Sequence, residues 1–169
     1  MGDKTQLLAL LLTARFRKPW TILLGVFIAT VLNHALAAWA GAWAASFFSD
    51  HALKWILVTT FTVFAGWILI PDKEEELKTS SHLGALLTTV VAFFFAEMGD
   101  KTQLATIALG ARYADILTVT VGTTIGMMGS NALAIFLGDR LLRRLPMKWI
   151  RIAASLSFLV FAFAIIFTF

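Results

Sequence analysis

Apolar segments of membrane-spanning length alternate with short polar loops along the chain. A helix needs about 20 apolar residues to cross the hydrocarbon core of a bilayer. Windows of that length give five full spans, at residues 20–45, 53–70, 82–111, 116–138 and 147–169. Residues 1–14 would reach only about 21 Å at about 1.5 Å per residue, which makes this segment an incomplete sixth span. The pattern predicts an all-α polytopic membrane protein of six transmembrane helices, the first of them truncated.

The sequence also repeats itself at an offset of 97 residues. MGDKTQL begins at Met1 and recurs from Met98, and HALAAWAG from His34 then falls on NALAIFLG from Asn131. Because each unit has three spans, an odd number, the second unit should enter the membrane from the opposite side. We therefore expect two inverted three-helix repeats, the architecture of many secondary transporters. The predicted divisions are a first repeat at 1–71, a cytoplasmic linker at 72–81 and a second repeat at 82–169.

Composition supports an integral membrane protein and excludes several other classes. Hydrophobic residues make up 59% of the 169 residues and charged residues only 14%, which is too apolar for a soluble domain of this length. The absence of cysteine excludes disulfides and thiolate metal sites within this sequence. The net charge of +4 comes from basic residues in short loops, so it does not indicate nucleic-acid binding.

The distribution of basic residues predicts the orientation of the chain. The side opposite to most of the charge carries only Lys54 and Arg112. By the positive-inside rule the basic side is cytoplasmic, so both termini should face away from the cytoplasm. The ten residues on the basic side are Arg15, Arg17, Lys18, Lys73, Lys78, Arg140, Arg143, Arg144, Lys148 and Arg151.

A charged segment, EMGDKTQ, interrupts the third full span. If that span is one helix, Glu97, Asp100 and Gln103 share one face. Each ionised residue at a helix centre costs about 2.5–3.5 kcal/mol on insertion scales, so the cluster predicts a functional site. Carboxylate, hydroxyl and amide oxygens suit a hard divalent cation, such as calcium, manganese or magnesium. Protons would compete for the same carboxylate oxygens, which is the physical basis of cation/proton antiport.

Other interpretations of the motif and its polar neighbours remain open. Glu97 and Lys101, four residues apart, could form an intrahelical ion pair that only holds the two halves together. Gly99 could permit a kink and expose a carbonyl oxygen, or it could simply allow close helix packing. Polar residues elsewhere in the spans could complete a coordination shell or form interhelical hydrogen bonds, and these are Asn33, His34, Ser130 and Asn131.

The duplicated motif resembles that of a known family. The pattern E-x-G-D-K/R-T/S, here Glu97-Met98-Gly99-Asp100-Lys101-Thr102, is similar to the Golgi and thylakoid calcium/manganese transporter family and its bacterial manganese exporters. The resemblance covers the whole chain. It implies cation/proton exchange at a site formed by the acidic motifs of both repeats. The short loops favour the bacterial branch, which is associated with manganese efflux, and this branch implies a bacterial inner membrane.

The resemblance and the residue chemistry together define a candidate site. The transported ion, Mn²⁺ or Ca²⁺, is the substrate, together with protons, and no cofactor is expected. Lys4 and Lys101 would balance charge between the ion-bound and empty states. The predicted metal ligands are Glu97, Asp100, Asp3, Thr102, Gln103, Thr5 and Gln6.

The first copy of the motif lacks its glutamate, because Met1 stands where the family has the residue after it. We therefore expect the native protein to begin about 15–20 residues earlier, enough to complete a span. An intact mass of 18.6 kDa from the native locus would contradict this expectation.

Three alternatives to manganese export remain. A calcium exchanger would use the same oxygens, and an exporter of organic cations would need an aromatic-lined pocket. A non-transporting assembly protein that uses buried ion pairs as contacts would tolerate exchange of Glu97 with Lys101. We expect no enzyme, because no Ser/His or His-x-x-x-His arrangement accompanies the carboxylates.

Overall fold

The described residues form an all-α protein, as the hydrophobic pattern predicts. In this computed structural model the backbone is described for residues 4–70, 84–142 and 147–168, and the side chains for 5–70, 84–136 and 148–168. The predicted linker at 72–81 lies outside these ranges. The helices are α1 (Lys4–Phe16), α2 (Pro19–Ala45), α3 (Asp50–Trp67), α4 (Ala85–Glu97), α5 (Lys101–Tyr113), α6 (Ile116–Leu142) and α7 (Met147–Thr168).

Within the described ranges, three segments are individually long and apolar enough to cross a bilayer. They are Pro19–Ala45, Ile116–Phe136 and Lys148–Thr168. The helices α1 and α4 are apolar but have only 13 residues each. A helix of that length reaches about 20 Å, less than the hydrocarbon thickness of about 30 Å, so neither of the two crosses alone.

Local sequence signals account for the helix ends. Pro19 is the first residue of α2, where its missing N–H costs nothing, and it separates α2 from α1. The side chain of Ser49 caps α3 by accepting a hydrogen bond from the Ala52 N–H at 3.4 Å. Asp115 begins α6 by accepting from the N–H and the hydroxyl of Thr118, and the hydroxyl bond holds the pKa of this exposed carboxyl below its ordinary value.

The predicted third full span is not one helix. It is interrupted between Glu97, where α4 ends, and Lys101, where α5 begins, so the prediction of a continuous helix over 82–111 was wrong. Met98 and Asp100 are extended, and Gly99 has φ of +78°. Only glycine adopts that conformation without strain. The interruption frees backbone groups at two helix ends, and these need polar partners inside the protein.

Helix α2 lies at the centre of the fold, where it packs against α4, α5 and α6. Small residues allow the backbones of α2 and α5 to approach closely: a Cβ on Gly41 would clash with the Ile107 carbonyl, and one on Gly110 with the backbone of Ala38. Helix α1 packs against α6 and α4, and α3 pairs with α7 and also touches α5. Through these contacts α4 lies between α2 and α1, and α5 lies between α2 and α3.

The helix bounds repeat with the offset found in the sequence. Adding 97 to the bounds of α1, Lys4–Phe16, gives those of α5, and adding 97 to the bounds of α2, Pro19–Ala45, gives those of α6. The contacts correspond as well, since α1 packs on α6 and α5 packs on α2. These agreements favour the predicted duplication, and the inverted relation of the two repeats stays a prediction.

One face of α6 differs from the corresponding face of α2. A Cβ on Gly25 would lie 2.7 Å from the Cβ of Thr89 in α4, whereas one on Gly122, the equivalent residue, would meet nothing within 4 Å. Gly126 and Gly129 are equally open. Within the described residues, therefore, no helix covers this face of α6 as α4 covers the equivalent face of α2.

The two basic residues on the sparsely charged side both bind the end of α7. The Lys54 ammonium donates to the Ile166 carbonyl at 2.7 Å. The Arg112 guanidinium donates to the hydroxyl and the carbonyl of Thr168 at 2.9 and 3.3 Å. Cations at a helix C-terminus are favourable because the last carbonyls carry partial negative charge. These two exceptions to the loop-charge pattern therefore have a structural role.

Candidate cation site

The second copy of the motif lies at the interruption between α4 and α5. Glu97 is the last residue of α4 and is 1% exposed, while Asp100 is the half-buried residue that precedes α5. The prediction that Glu97, Asp100 and Gln103 follow one helical stripe was wrong, because the chain leaves the helix between them. The two carboxylates instead belong to the facing ends of two short helices, an arrangement that also exposes backbone polar groups to a bound ion.

Asn33 of α2 links the two halves of the interrupted helix. Its Nδ2 donates to the Phe94 carbonyl in the last turn of α4 at 3.0 Å, and its Oδ1 accepts from Nε2 of Gln103 in α5 at 3.5 Å. The Oε1 of Gln103 in turn accepts from the Gly99 N–H at 2.7 Å. These bonds satisfy backbone groups that the interruption would leave unpaired. Of the four polar residues considered for interhelical hydrogen bonds, Asn33 clearly makes them.

The Thr102 hydroxyl orients the carboxylate of Asp100 at the N-terminal end of α5. The Thr102 hydroxyl lies 3.3 Å from Oδ2 of Asp100, to which it donates. Asp100 stands at the N-terminus of α5, where the helix dipole favours negative charge, yet its side chain forms no capping hydrogen bond to the helix. A carboxylate held in this position by a hydroxyl can still offer oxygen to a cation.

Lys101 does not lie where a continuous helix would place it. Its ammonium donates to the Ile70 carbonyl, just beyond the end of α3, at 2.7 Å, and lies 5.3 Å from the centroid of the Trp67 ring. Because the helix is interrupted between them, Glu97 and Lys101 are not four residues apart along one helix, and an ion pair between their side chains stays a prediction. The charge-balancing role of Lys101 stays a prediction.

The first copy of the motif is described only in part. Asp3 lies outside the described residues, and Lys4 is described by its backbone alone, as the first residue of α1. Thr5 is half-buried, and Nε2 of the buried Gln6 lies 3.5 Å from the Ser130 carbonyl.

The contact made by Gln6 has an equivalent in the second repeat. Adding 97 to Gln6 gives Gln103, and adding 97 to Asn33 gives Ser130. The contact of Gln6 with Ser130 therefore corresponds to the contact of Gln103 with Asn33. Each motif glutamine thus contacts the same position on the neighbouring long helix. The two contacts differ in one respect, since Asn33 uses its side chain and Ser130 its backbone.

The remaining polar candidates face the packed interior of α2 and α6. Both ring nitrogens of His34, which is 1% exposed, have no hydrogen-bond partner among the described residues. Asn131 donates through Nδ2 to Met127 one turn earlier at 3.2 Å, and Ser130 donates through its hydroxyl to the same carbonyl at 3.0 Å. The described structure therefore shows intrahelical bonds for these two side chains, and roles for His34 and Asn131 beside an ion stay predictions.

Sequence reasoning missed two contacts around the motif, that of Trp67 with Lys101 and that of the Phe94 carbonyl with Asn33. Trp67 lies 34 positions before Lys101, so helical periodicity does not connect the two, and the Phe94 carbonyl carries no signal in the sequence because it belongs to the backbone. Among the described residues, no group of three or more His, Cys, Asp or Glu side chains could hold a metal ion. A cation at the interruption would therefore combine Glu97 and Asp100 with neutral oxygens or with residues beyond those described, such as Asp3.

The chain is similar to known proteins over most of its length. A family model described as divalent cation/proton antiporter GDT1 matches residues 1–76 and 85–168. A Vibrio cholerae protein described as "Putative manganese exporter" is 48% identical over 165 residues, which cover 97% of this chain and 82% of the relative. A GDT1-like protein of Synechocystis is 26% identical over 184 residues, covering 96% of this chain and 88% of the relative. No solved structure matches the chain.

The match extends over both parts of the repeated sequence. The family model includes both copies of MGDKTQL, at residues 1–7 and 98–104, and resumes on the far side of the predicted linker. The Vibrio relative aligns with almost the whole chain, so the similarity is not confined to one helix or one motif. The resemblance proposed from the sequence is confirmed. The chain belongs to the divalent cation/proton antiporter GDT1 family.

Proposed function

We propose that this membrane cation transporter exports Mn²⁺ in exchange for protons. The observation that carries the proposal is a buried glutamate, Glu97, at the interruption of a helix in a protein of the divalent cation/proton antiporter family. Manganese is favoured over calcium because the Vibrio relative, 48% identical, is described as a manganese exporter.

In the proposed mechanism the ion binds where α4 and α5 face each other. Glu97 and Asp100 supply charged oxygens, and Thr102 and Gln103 supply neutral ones. The first motif contributes from α1 through Thr5, Gln6 and Asp3. Hard divalent ions prefer oxygen ligands, and a carboxylate must be deprotonated to bind them. Binding of the ion therefore releases protons from the carboxylates. Proton return on the other side of the membrane then displaces the ion.

Alternating access follows from the duplicated architecture. In transporters with inverted repeats, one repeat rocks against the other around a site near the bilayer midplane. The contacts of α1 with α6 and of α5 with α2 join the two repeats on both sides of the site. We propose that these two interfaces alternate during transport, so that one is closely packed while the other is loosened. We propose a bacterial inner membrane as the location of the protein, and both termini outside the cytoplasm because most basic residues fall in loops on one side.

Transport in inside-out vesicles tests the proposal. Vesicles containing the protein are acidified inside, and Mn²⁺, Ca²⁺ or Mg²⁺ is added while a fluorescent dye reports the pH gradient. We expect Mn²⁺ to dissipate the gradient. Glu97→Gln should abolish that response, because a glutamine side chain can neither release a proton nor offer a charged oxygen to the ion. Asp115→Asn, at an exposed carboxylate outside the site, is the matched control and should transport normally.

Other outcomes would identify the alternatives. Dissipation by Ca²⁺ and not by Mn²⁺ would identify a calcium exchanger that uses the same oxygens. A non-transporting assembly protein would be favoured if no cation dissipates the gradient and if the double variant Glu97→Lys with Lys101→Glu still folds. Normal Mn²⁺ transport by Glu97→Gln would contradict the proposed site.

A further inference from the structure

Three consecutive hydrogen bonds connect the end of α4 to the turn that precedes α5. Asn33 donates to the Phe94 carbonyl at 3.0 Å, and Gln103 donates to Oδ1 of Asn33 at 3.5 Å. The Gly99 N–H donates to Oε1 of Gln103 at 2.7 Å. We refer to these three bonds as the amide relay. Both side chains in it use the NH₂ group and the oxygen of their amide.

The donors and acceptors of the amide relay fix how both amides are turned. A backbone carbonyl only accepts, so Asn33 must present its NH₂ group to Phe94 and its oxygen to Gln103. Gln103 must then present its NH₂ group to Asn33, which directs Oε1 towards Gly99. A backbone N–H only donates, so the bond at Gly99 completes the relay without a mismatch. The orientation of the Gln103 oxygen is therefore set by contacts outside α5.

Gln103 lies at the third position of α5, from which a glutamine often caps the start of a helix. In a capping box that side chain bonds the N–H of the N-cap residue, and the N-cap side chain bonds back. Here Gln103 bonds the N–H one residue earlier, at Gly99, and the N-cap residue Asp100 makes no side-chain capping bond. The carboxylate of Asp100 is therefore not used to cap the helix.

The turn at Gly99 determines how the two carboxylates of the second motif stand relative to each other. Only Met98 and Gly99 separate Glu97 from Asp100, and Gly99 has φ of +78°. Glycine loses more conformational freedom on ordering than any other residue. Without its bond to Gln103 the turn would sample other conformations, and an ion would have to order it at a cost in affinity.

We propose that Gln103 is a positioning residue for cation binding, because it holds the Gly99 turn and, through it, Glu97 and Asp100. Asn33 orients Gln103 for this role. The inference rests on the proposed function, since it concerns the same ion site. An amide oxygen has two lone pairs, so holding the turn does not prevent Gln103 from also offering oxygen to the ion.

Amide exchange at Gly99 tests the positioning role directly. The full chain, labelled with ¹⁵N-glycine, is placed in lipid nanodiscs, and exchange with deuterated water is followed by NMR. We expect Gln103→Leu to speed Gly99 exchange about tenfold, because the N–H loses its acceptor. Gln103→Glu keeps an oxygen for this N–H, so exchange should stay slow. Gly110, inside α5, is the internal control and should not change.

Mn²⁺ binding tests the consequence for the ion site. The Kd is measured in the same nanodiscs from the electron paramagnetic resonance signal of free Mn²⁺. We expect Gln103→Leu to raise the Kd about tenfold, equivalent to about 1.4 kcal/mol. Asn33→Ala should raise it as well. The double variant should bind about as weakly as the weaker single variant, because both changes break the same relay.

Gln6, the equivalent glutamine of the first motif, supplies the matched comparison. Its Oε1 is buried and has no hydrogen-bond partner among the described residues, so Gln6 does not take part in the amide relay. Gln6→Leu should therefore leave Gly99 exchange unchanged. Any rise in Kd that it causes should add to that of Asn33→Ala, because the two side chains share no partner.

The outcomes separate the positioning role from the proposed function. Unchanged Gly99 exchange in Gln103→Leu, or additive effects of Gln103→Leu and Asn33→Ala on the Kd, would overturn the positioning role even if transport is normal. If Gln103→Leu does not fold, Asn33→Ala carries the same test, and unchanged Gly99 exchange in it would overturn the role. Vesicles that fail to exchange Mn²⁺ for protons, while exchange and Kd values follow expectation, would overturn antiport and retain the positioning role. An unmodified protein that binds no Mn²⁺ would overturn both.

Discussion

A single side chain, Asn33, joins the two halves of the interrupted helix. Its amide serves both as donor to α4 and as acceptor from α5, which no apolar residue of similar size could do. The bonds reach residues 61 and 70 positions away in the chain. The sequence showed that Asn33 is polar within an apolar span, but the identity of its partners depended on the fold. Its contribution can be measured by truncation.

We expect Asn33→Ala to lower both thermal stability and Mn²⁺ transport. The variant leaves the Phe94 carbonyl without its donor, which costs about 1–3 kcal/mol for a buried group, and frees the side chain of Gln103. Thermal unfolding in detergent, followed by size-exclusion fluorescence, should show a midpoint several degrees lower. Ser130→Ala at the equivalent position is the control, because Gln6 contacts the Ser130 backbone. Equal stability of the two variants would contradict the linking role of Asn33.

At the scale of helices, the interruption at Gly99 and the close contact at Gly25 both depend on glycine, for different reasons. Gly99 adopts a positive φ, and Gly25 makes room for Thr89 of α4. The repeat supplies an internal comparison for the second case. Gly122 occupies the same position on α6, yet no described atom lies near it.

We expect valine to be tolerated at Gly122 and not at Gly25. At Gly25 the new Cβ would lie 2.8 Å from Cγ2 of Thr89 and 3.2 Å from the Leu86 carbonyl, and overpacking of this kind costs about 1–3 kcal/mol. The midpoint of thermal unfolding should fall for Gly25→Val and remain unchanged for Gly122→Val. A similar loss in both variants would show that a further helix covers Gly122 in the membrane.

At the scale of the whole molecule, the described helices α1, α4, α5 and α6 pack against the central α2. The pair α3 and α7 lies beside α5, and the ends of α7 and α3 are each bound by basic side chains from other helices. Lys54 and Arg112 bind α7, and Lys101 binds just beyond α3. Because cations stabilise helix C-termini, these contacts connect the motif helix α5 to both peripheral helices.

The predicted orientation in the membrane can be tested with single cysteines, since the sequence contains none. Phe47→Cys lies in the turn between α2 and α3, which we expect outside the cytoplasm, and Thr79→Cys lies in the predicted cytoplasmic linker. An impermeant maleimide should label Phe47→Cys in whole cells and Thr79→Cys only after permeabilisation. The reverse pattern would contradict the positive-inside assignment.

The sequence by itself determined that the protein is helical, where α2, α3, α6 and α7 lie, and that a charged motif occurs twice. These features are local, because a bilayer requires long apolar segments with internally bonded backbones, and a charged motif in such a segment is costly wherever its partners lie. The predicted boundaries of the 20–45 span therefore agree closely with α2, Pro19–Ala45.

Only the tertiary structure decided how the motif is arranged. Whether a helix continues through Gly99 depends on partners for the backbone groups that an interruption frees, and those partners come from distant parts of the chain. Asn33 bonds residues 61 and 70 positions away, and Lys101 bonds Ile70, 31 positions away. Helical periodicity relates residues only a few positions apart, so it placed the carboxylates on one stripe and could not identify Trp67 as a contact of Lys101.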